Sequence, residues 1–104
     1  MKAKTLIKRA YKGQAHPLTP EVEAYFSVEN DSEMIASELS VGDGMRHDPI
    51  YGVSVVRYRK KTREIVREPD LCKCFHDKKA AYSHIKGLSR HLKMSPEMRE
   101  ALQP

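Results

Sequence analysis

The strongest pattern in the sequence is a helical stripe in residues 78–93. Four apolar residues fall within about 60° of one another at 100° per residue: Ala81, Ile85, Leu88 and Leu92. Asp77 stands directly before this segment and is a good N-cap residue. Gly87 either ends the regular helix early or lets another element pack closely. A main helix over 78–92 is therefore predicted, with its apolar face turned to the core.

Two other segments alternate with the period of a β-strand. In residues 21–29, "EVEAYFSVE", apolar side chains alternate with Glu and other polar residues through all nine positions. Residues 51–60 and 63–68 predict a hairpin whose turn lies near Lys60–Thr62. Together these patterns indicate an α+β domain, in which an antiparallel sheet of three or more strands packs against one main C-terminal helix, with short helices besides.

Three segments give less regular signals. Residues 30–40 predict a short helix that Asn30 or Asp31 caps and Gly42 stops. A further short helix is predicted after Ser95. Residues 1–18 stay open between a basic arm, a strand and a helix.

Length and composition limit the class of protein. A chain of 104 residues, 39% apolar and 32% charged, predicts one globular domain, 1–104, in which residues 1–18 are a basic arm or a peripheral element. No apolar run reaches 18 residues and no secretory h-region is present, so no membrane association is expected. The two cysteines lie two positions apart and cannot join distant segments, which favours free thiols and a reducing, cytoplasmic location.

Charge is distributed unevenly along the chain. The net charge is +5. Residues 1–19 carry five basic groups and no acid, residues 20–48 carry eight acids and one base, and residues 57–93 carry twelve bases and four acids. Such asymmetry suggests an anionic partner for the basic segments, with nucleic acid as the first choice.

The candidate nucleic-acid site combines the hairpin with the outer face of the main helix. Long cationic side chains on one surface suit phosphate contacts, and an exposed Tyr58 would stack on a base. The residues are Arg57, Tyr58, Arg59, Lys60, Lys61, Arg63, Lys79, Lys86, Arg90 and Lys93, with Arg67 in the same hairpin cluster. Neither DNA nor RNA is preferred by the sequence.

"LCKCFHDKK", residues 71–79, raises the question of a metal or redox site. In a strand, Cys72, Cys74 and His76 would point to one face. Zinc needs four ligands, and no C-x₂-C or H-x₃-H pair is present to complete the set. We therefore expect small buried thiols on a strand rather than a metal site, and no cofactor.

No nucleophile, base and orienting group fall together, so an enzyme is not expected. The sequence predicts a small binding module that associates with nucleic acid. The alternative is a protein–protein adaptor or inhibitor of unknown partner that docks through the charge asymmetry. The oligomeric state stays open.

Overall fold

A five-stranded antiparallel sheet organises the computed structural model, which describes residues 1–11, 21–44 and 48–92. The elements in chain order are α1 (Ala3–Ala10), β1 (Glu21–Glu29), β2 (Glu33–Asp43), β3 (Pro49–Arg59), β4 (Glu64–Arg67), a 3₁₀ turn (Pro69–Leu71), β5 (Lys73–Phe75), α2 (Lys78–Lys86) and a 3₁₀ helix (Gly87–His91). The predicted α+β class is confirmed. Lys93, the segment after Ser95 and residues 12–18 lie outside the described residues.

Strand β3 is the centre of the sheet. The strand order is β1-β2-β3-β4, and β5 also pairs with β3. On the edge away from β2, residues 56–59 of β3 pair with β4 and residues 51–53 pair with β5. Two short strands therefore follow one another along the same edge of β3. The predicted strands near 21–29, 51–60 and 63–68 are confirmed as β1, β3 and β4.

The main helix covers one face of the sheet. Asp77 caps α2, because its carboxylate accepts a hydrogen bond from the Lys79 N–H at 3.1 Å. The regular helix ends at Gly87 and continues as the 3₁₀ helix. The core on this face consists of Ile35, Leu39, Val53, Val55, Leu71, Ala81, Ile85 and Leu88. The predicted main helix and its apolar stripe are thus confirmed, with a tighter last turn.

The N-terminal helix α1 covers part of the opposite face. Leu6 and Ile7 are buried there, with 0% and 3% of their surface exposed. They form a second core with Ala10, Met34, Ala36 and Val56. Residues 3–10 therefore form a helix, which is one of the three conformations that the sequence left open.

The prediction of a helix in residues 30–40 is wrong. Residues 33–40 belong to β2, which continues past Gly42 to Asp43. Because helices cover both faces of the sheet here, Met34 and Ile35 are both buried although they point to opposite sides. The strand therefore has no apolar–polar alternation. Asn30 forms a turn instead of a helix cap, since its side-chain oxygen accepts from the N–H groups of Ser32 and Glu33.

Candidate nucleic-acid interface

Arg57 is fully buried and cannot belong to a surface site. Its Nε donates to Glu68 Oε1 at 2.7 Å, Nη1 pairs with Glu33, and Nη2 donates to the His91 carbonyl oxygen at 2.7 Å. Glu68 is fully buried as well. The prediction that Arg57 contacts phosphate is wrong, because β3 places it on the same face as Val53 and Val55. There it ties the sheet to the end of the 3₁₀ helix.

Three neighbours of Arg57 are engaged within the protein. Tyr58 points to the opposite face and packs, half-buried, against the α1 core, so the prediction of an exposed stacking side chain is wrong. Arg59 pairs with Glu64 at 3.0 Å. Lys60 pairs with Glu29 at 2.7 Å and donates to the Asn30 carbonyl oxygen. The nearby ammonium group lowers the pKa of the Glu29 carboxyl.

The remaining predicted cations are exposed but lie in two places. Lys61 and Arg63 belong to the β3–β4 turn, where Arg63 has a left-handed backbone with φ 59°. Lys79, Lys86 and Arg90 are exposed on α2 and the 3₁₀ helix. We call these three residues the α2 outer face. No ion pair is recorded for these five side chains among residues 1–11, 21–44 and 48–92. Lys93 lies outside that part of the chain.

The helix α1 adds cations that the sequence analysis did not count among the site residues. Its exposed positions include Lys4, Lys8 and Arg9, with Lys2 exposed at the N-cap, while Leu6, Ile7 and Ala10 face the sheet. The outward face of α1 carries no acid. The apolar spacing in residues 4–12 already fitted a helical face, so the signal was present but could not be separated from that of a mobile arm.

One flank of α1 faces β4. The Tyr11 N–H bonds to the Ile7 carbonyl oxygen at 2.9 Å, so Tyr11 continues the helical turn. Lys4, Lys8 and Tyr11 then fall within about 60° of one another around the helix axis. Arg67 of β4 places its Cζ 5.3 Å from the centre of the Tyr11 ring. We call Lys4, Lys8, Arg63 and Arg67 the α1–β4 surface.

Some carboxylates of the acidic segment, residues 20–48, are neutralised by ion pairs within the molecule. Glu23 pairs with Lys78 at 2.6 Å, and Glu29 and Glu33 pair with Lys60 and Arg57. Glu23 raises the pKa of Lys78 through its hydrogen bond and negative charge. Other carboxylates remain exposed along β1 and at the ends of β2: Glu21, Asp31 and Asp43. Charge asymmetry therefore persists at the β1 edge, where the sheet ends.

Cys72 has a structural position in the gap between β4 and β5. Its Sγ accepts from the Val55 N–H at 3.3 Å and contacts the Tyr11 hydroxyl at 3.4 Å. The thiol also donates to the Glu68 carbonyl oxygen at 3.4 Å. The thiol thus lies at the β3 edge beside Val55, which pairs with neither β4 nor β5. Burial, followed by the adjacent thiol, raises the pKa of Tyr11.

Cys74 and His76 do not join Cys72 in a metal site. Both are exposed, which contradicts the expectation of a buried thiol at position 74, and neither cysteine forms a disulfide. Burial, followed by the charge of Cys72, raises the pKa of Cys74. His84 bonds instead to the Leu71 carbonyl oxygen at 2.6 Å. Within residues 1–11, 21–44 and 48–92, no three His, Cys, Asp or Glu side chains come together to hold a metal ion.

Compared with family models, curated proteins and solved structures, the chain has no match. None of the described helices has the length and apolar character needed to cross a bilayer. The functional argument therefore depends on the geometry and charge of the surface.

Proposed function

We propose that the protein is a non-enzymatic module that binds nucleic acid, and that the α1–β4 surface makes the main contact. The observation that carries this proposal is the meeting of two basic elements on one side of the sheet. The flank of α1 brings Lys4 and Lys8, and β4 brings Arg67. Long exposed cations that share a surface are suited to phosphate groups.

The α2 outer face is the second candidate contact for the same function. Lys79, Lys86 and Arg90 lie on the opposite side of the sheet from α1, so one short nucleic acid would not reach both surfaces directly. We rank this face second because nearby carboxylates offset part of the positive charge in its first helical turn. Asp77 caps it, and Glu23 neutralises Lys78.

Two matched triple variants test this assignment. K4Q/K8Q/R63Q removes three charges from the α1–β4 surface, and K79Q/K86Q/R90Q removes three from the α2 outer face. Binding to labelled 20-mers is measured by fluorescence anisotropy at about 50 and 200 mM salt. Each lost phosphate contact should flatten the slope of log affinity against log salt by about 0.7–0.9. We expect the first variant to flatten the slope by about 2 and the second to leave it nearly unchanged.

The opposite ranking of the two variants would move the site to α2. Equal, small effects would indicate that net charge alone attracts the probe. Absence of binding by the parent protein at low salt would overturn the proposal.

A protein–protein adaptor is the second candidate function, and the β1 edge favours it. An edge strand offers unpaired backbone groups to an extended partner segment, and the acids at Glu21 and Asp31 favour a basic one. Affinity for a basic partner with none for DNA or RNA would support this function instead.

A further inference from the structure

Arg67 and Tyr11 form a cation–π pair at the surface between α1 and β4. The guanidinium carbon lies 5.3 Å from the ring centre, within the distance at which the ring attracts a cation. Arg67 is exposed and Tyr11 is half-buried. Tyr11 is therefore the embedded member of the pair and Arg67 the exposed member.

The position of the Tyr11 ring is fixed by the sheet. Its hydroxyl donates to the Val55 carbonyl oxygen at 2.6 Å and contacts Cys72 Sγ at 3.4 Å. These contacts join α1 to the gap between β4 and β5. Because the ring is anchored, the Arg67 side chain packs on a rigid support, and ordering it for a ligand costs less conformational entropy.

We propose that the Arg67–Tyr11 pair is a stacking site for an unpaired nucleobase, so that the protein prefers single-stranded nucleic acid. A planar guanidinium stacks on base rings, whereas an ammonium group does not. Lys4 and Lys8 precede Tyr11 on the same flank of α1, where they are placed to contact phosphates on one side of the stacked base. This inference rests on the nucleic-acid binding proposed above.

Duplexes lack the surface that this site needs. In a duplex the faces of the bases are stacked on one another, and only the backbone and the base edges are accessible. A single strand presents the faces of its bases to aromatic and guanidinium groups. The site is therefore expected to distinguish the two forms by stacking, with little dependence on sequence.

Three probes of equal length separate stacking from charge: a thymidine 12-mer, the corresponding abasic deoxyribose-phosphate 12-mer, and a 12-base-pair duplex. Anisotropy at about 100 mM salt should show the thymidine strand binding at least about tenfold more tightly than the abasic strand, and more tightly than the duplex. R67K keeps the charge and should remove most of this preference. R9K, which changes an exposed arginine of α1 outside the α1–β4 surface, is the matched control and should retain it.

Equal binding of the thymidine and abasic strands would overturn the stacking site and leave the proposed function intact. An unchanged preference in R67K, or a duplex bound as tightly as the single strand, would overturn it as well. If none of the three probes binds even at about 50 mM salt, both proposals fail together.

Discussion

Arg57 and Arg59 lie two residues apart on β3, yet one is enclosed and the other reaches solvent. The Arg57 guanidinium is fully buried between two glutamates, whereas 34% of the Arg59 side chain is exposed beside Glu64. Arginine therefore has a structural role at position 57 and a minor role at position 59.

We expect Arg57→Ala to lower the free energy of unfolding by about 3–5 kcal/mol, because Glu68 would keep a buried charge without its main partner. Urea denaturation followed by circular dichroism measures this. Arg59→Ala is the control and should cost no more than about 1 kcal/mol, since exposed pairs contribute little. Similar losses in both variants would contradict the structural role of Arg57.

The burial of Arg57 could have been predicted from the alternation of the sequence. In a strand over residues 51–60, Val53 and Val55 share one face, and the same alternation places Arg57 with them and Tyr58 with Val56. Composition argued the other way, because arginine is rarely buried without partners. Those partners, Glu33 and Glu68, come from separate strands and segments. No local pattern could have identified them.

At the scale of elements, the main helix and the alternating strands were predicted correctly and the doubly covered strand was not. α2 buries one face, and β1 packs Phe26 and Val28 of one face against the same core, so their periods are visible in the sequence. β2 is buried on both faces by α1 and α2, and a short apolar run of this kind does not distinguish helix from strand. Whether α1 folds onto the sheet or extends as an arm depends on contacts with residues far away in the sequence, and no local pattern reveals these contacts.

The junction between α2 and the 3₁₀ helix allows a stabilising substitution. Gly87 has ordinary helical backbone angles, φ −74° and ψ −9°, and an added Cβ would meet only the mobile end of Arg90 at 2.7 Å. We expect Gly87→Ala to raise the free energy of unfolding by about 0.5–1 kcal/mol, because alanine loses less chain entropy in a helix. Thermal and urea denaturation measure the change.

Gly44→Ala is the contrasting variant. A Cβ there would approach the Asp48 carbonyl oxygen at 2.8 Å and Ile50 Cδ1 at 2.6 Å. Neither group can move away freely, so this substitution should destabilise the protein by about 1–3 kcal/mol. If Gly87→Ala destabilised it as much, the helix would need the small side chain for a reason other than space.

At the scale of the molecule, two cores share one sheet. Leu6 belongs to the α1 core and Leu88 to the α2 core, and both are almost fully buried. Strands β2 and β3 contribute to each core, with Ile35 on one side and Met34 on the other. Loss of either core should therefore weaken the whole domain and not one layer alone.

We expect Leu6→Ala and Leu88→Ala each to cost about 2–5 kcal/mol, with unfolding still a single transition. Far-ultraviolet circular dichroism and tyrosine fluorescence in urea should give coincident curves for both variants. An early fluorescence transition in Leu6→Ala, with the circular dichroism of the sheet preserved, would show that α1 detaches independently.

The acidic β1 edge and the basic α1–β4 surface also determine how the molecule turns as it approaches a partner. In the electric field of a polyanion this arrangement produces a torque that brings α1 and β4 toward the polymer and rotates β1 away from it. Encounters would then begin in nearly one orientation. A row of such molecules along a strand would present β1, an edge strand of the sheet within the described residues, as a common outer border.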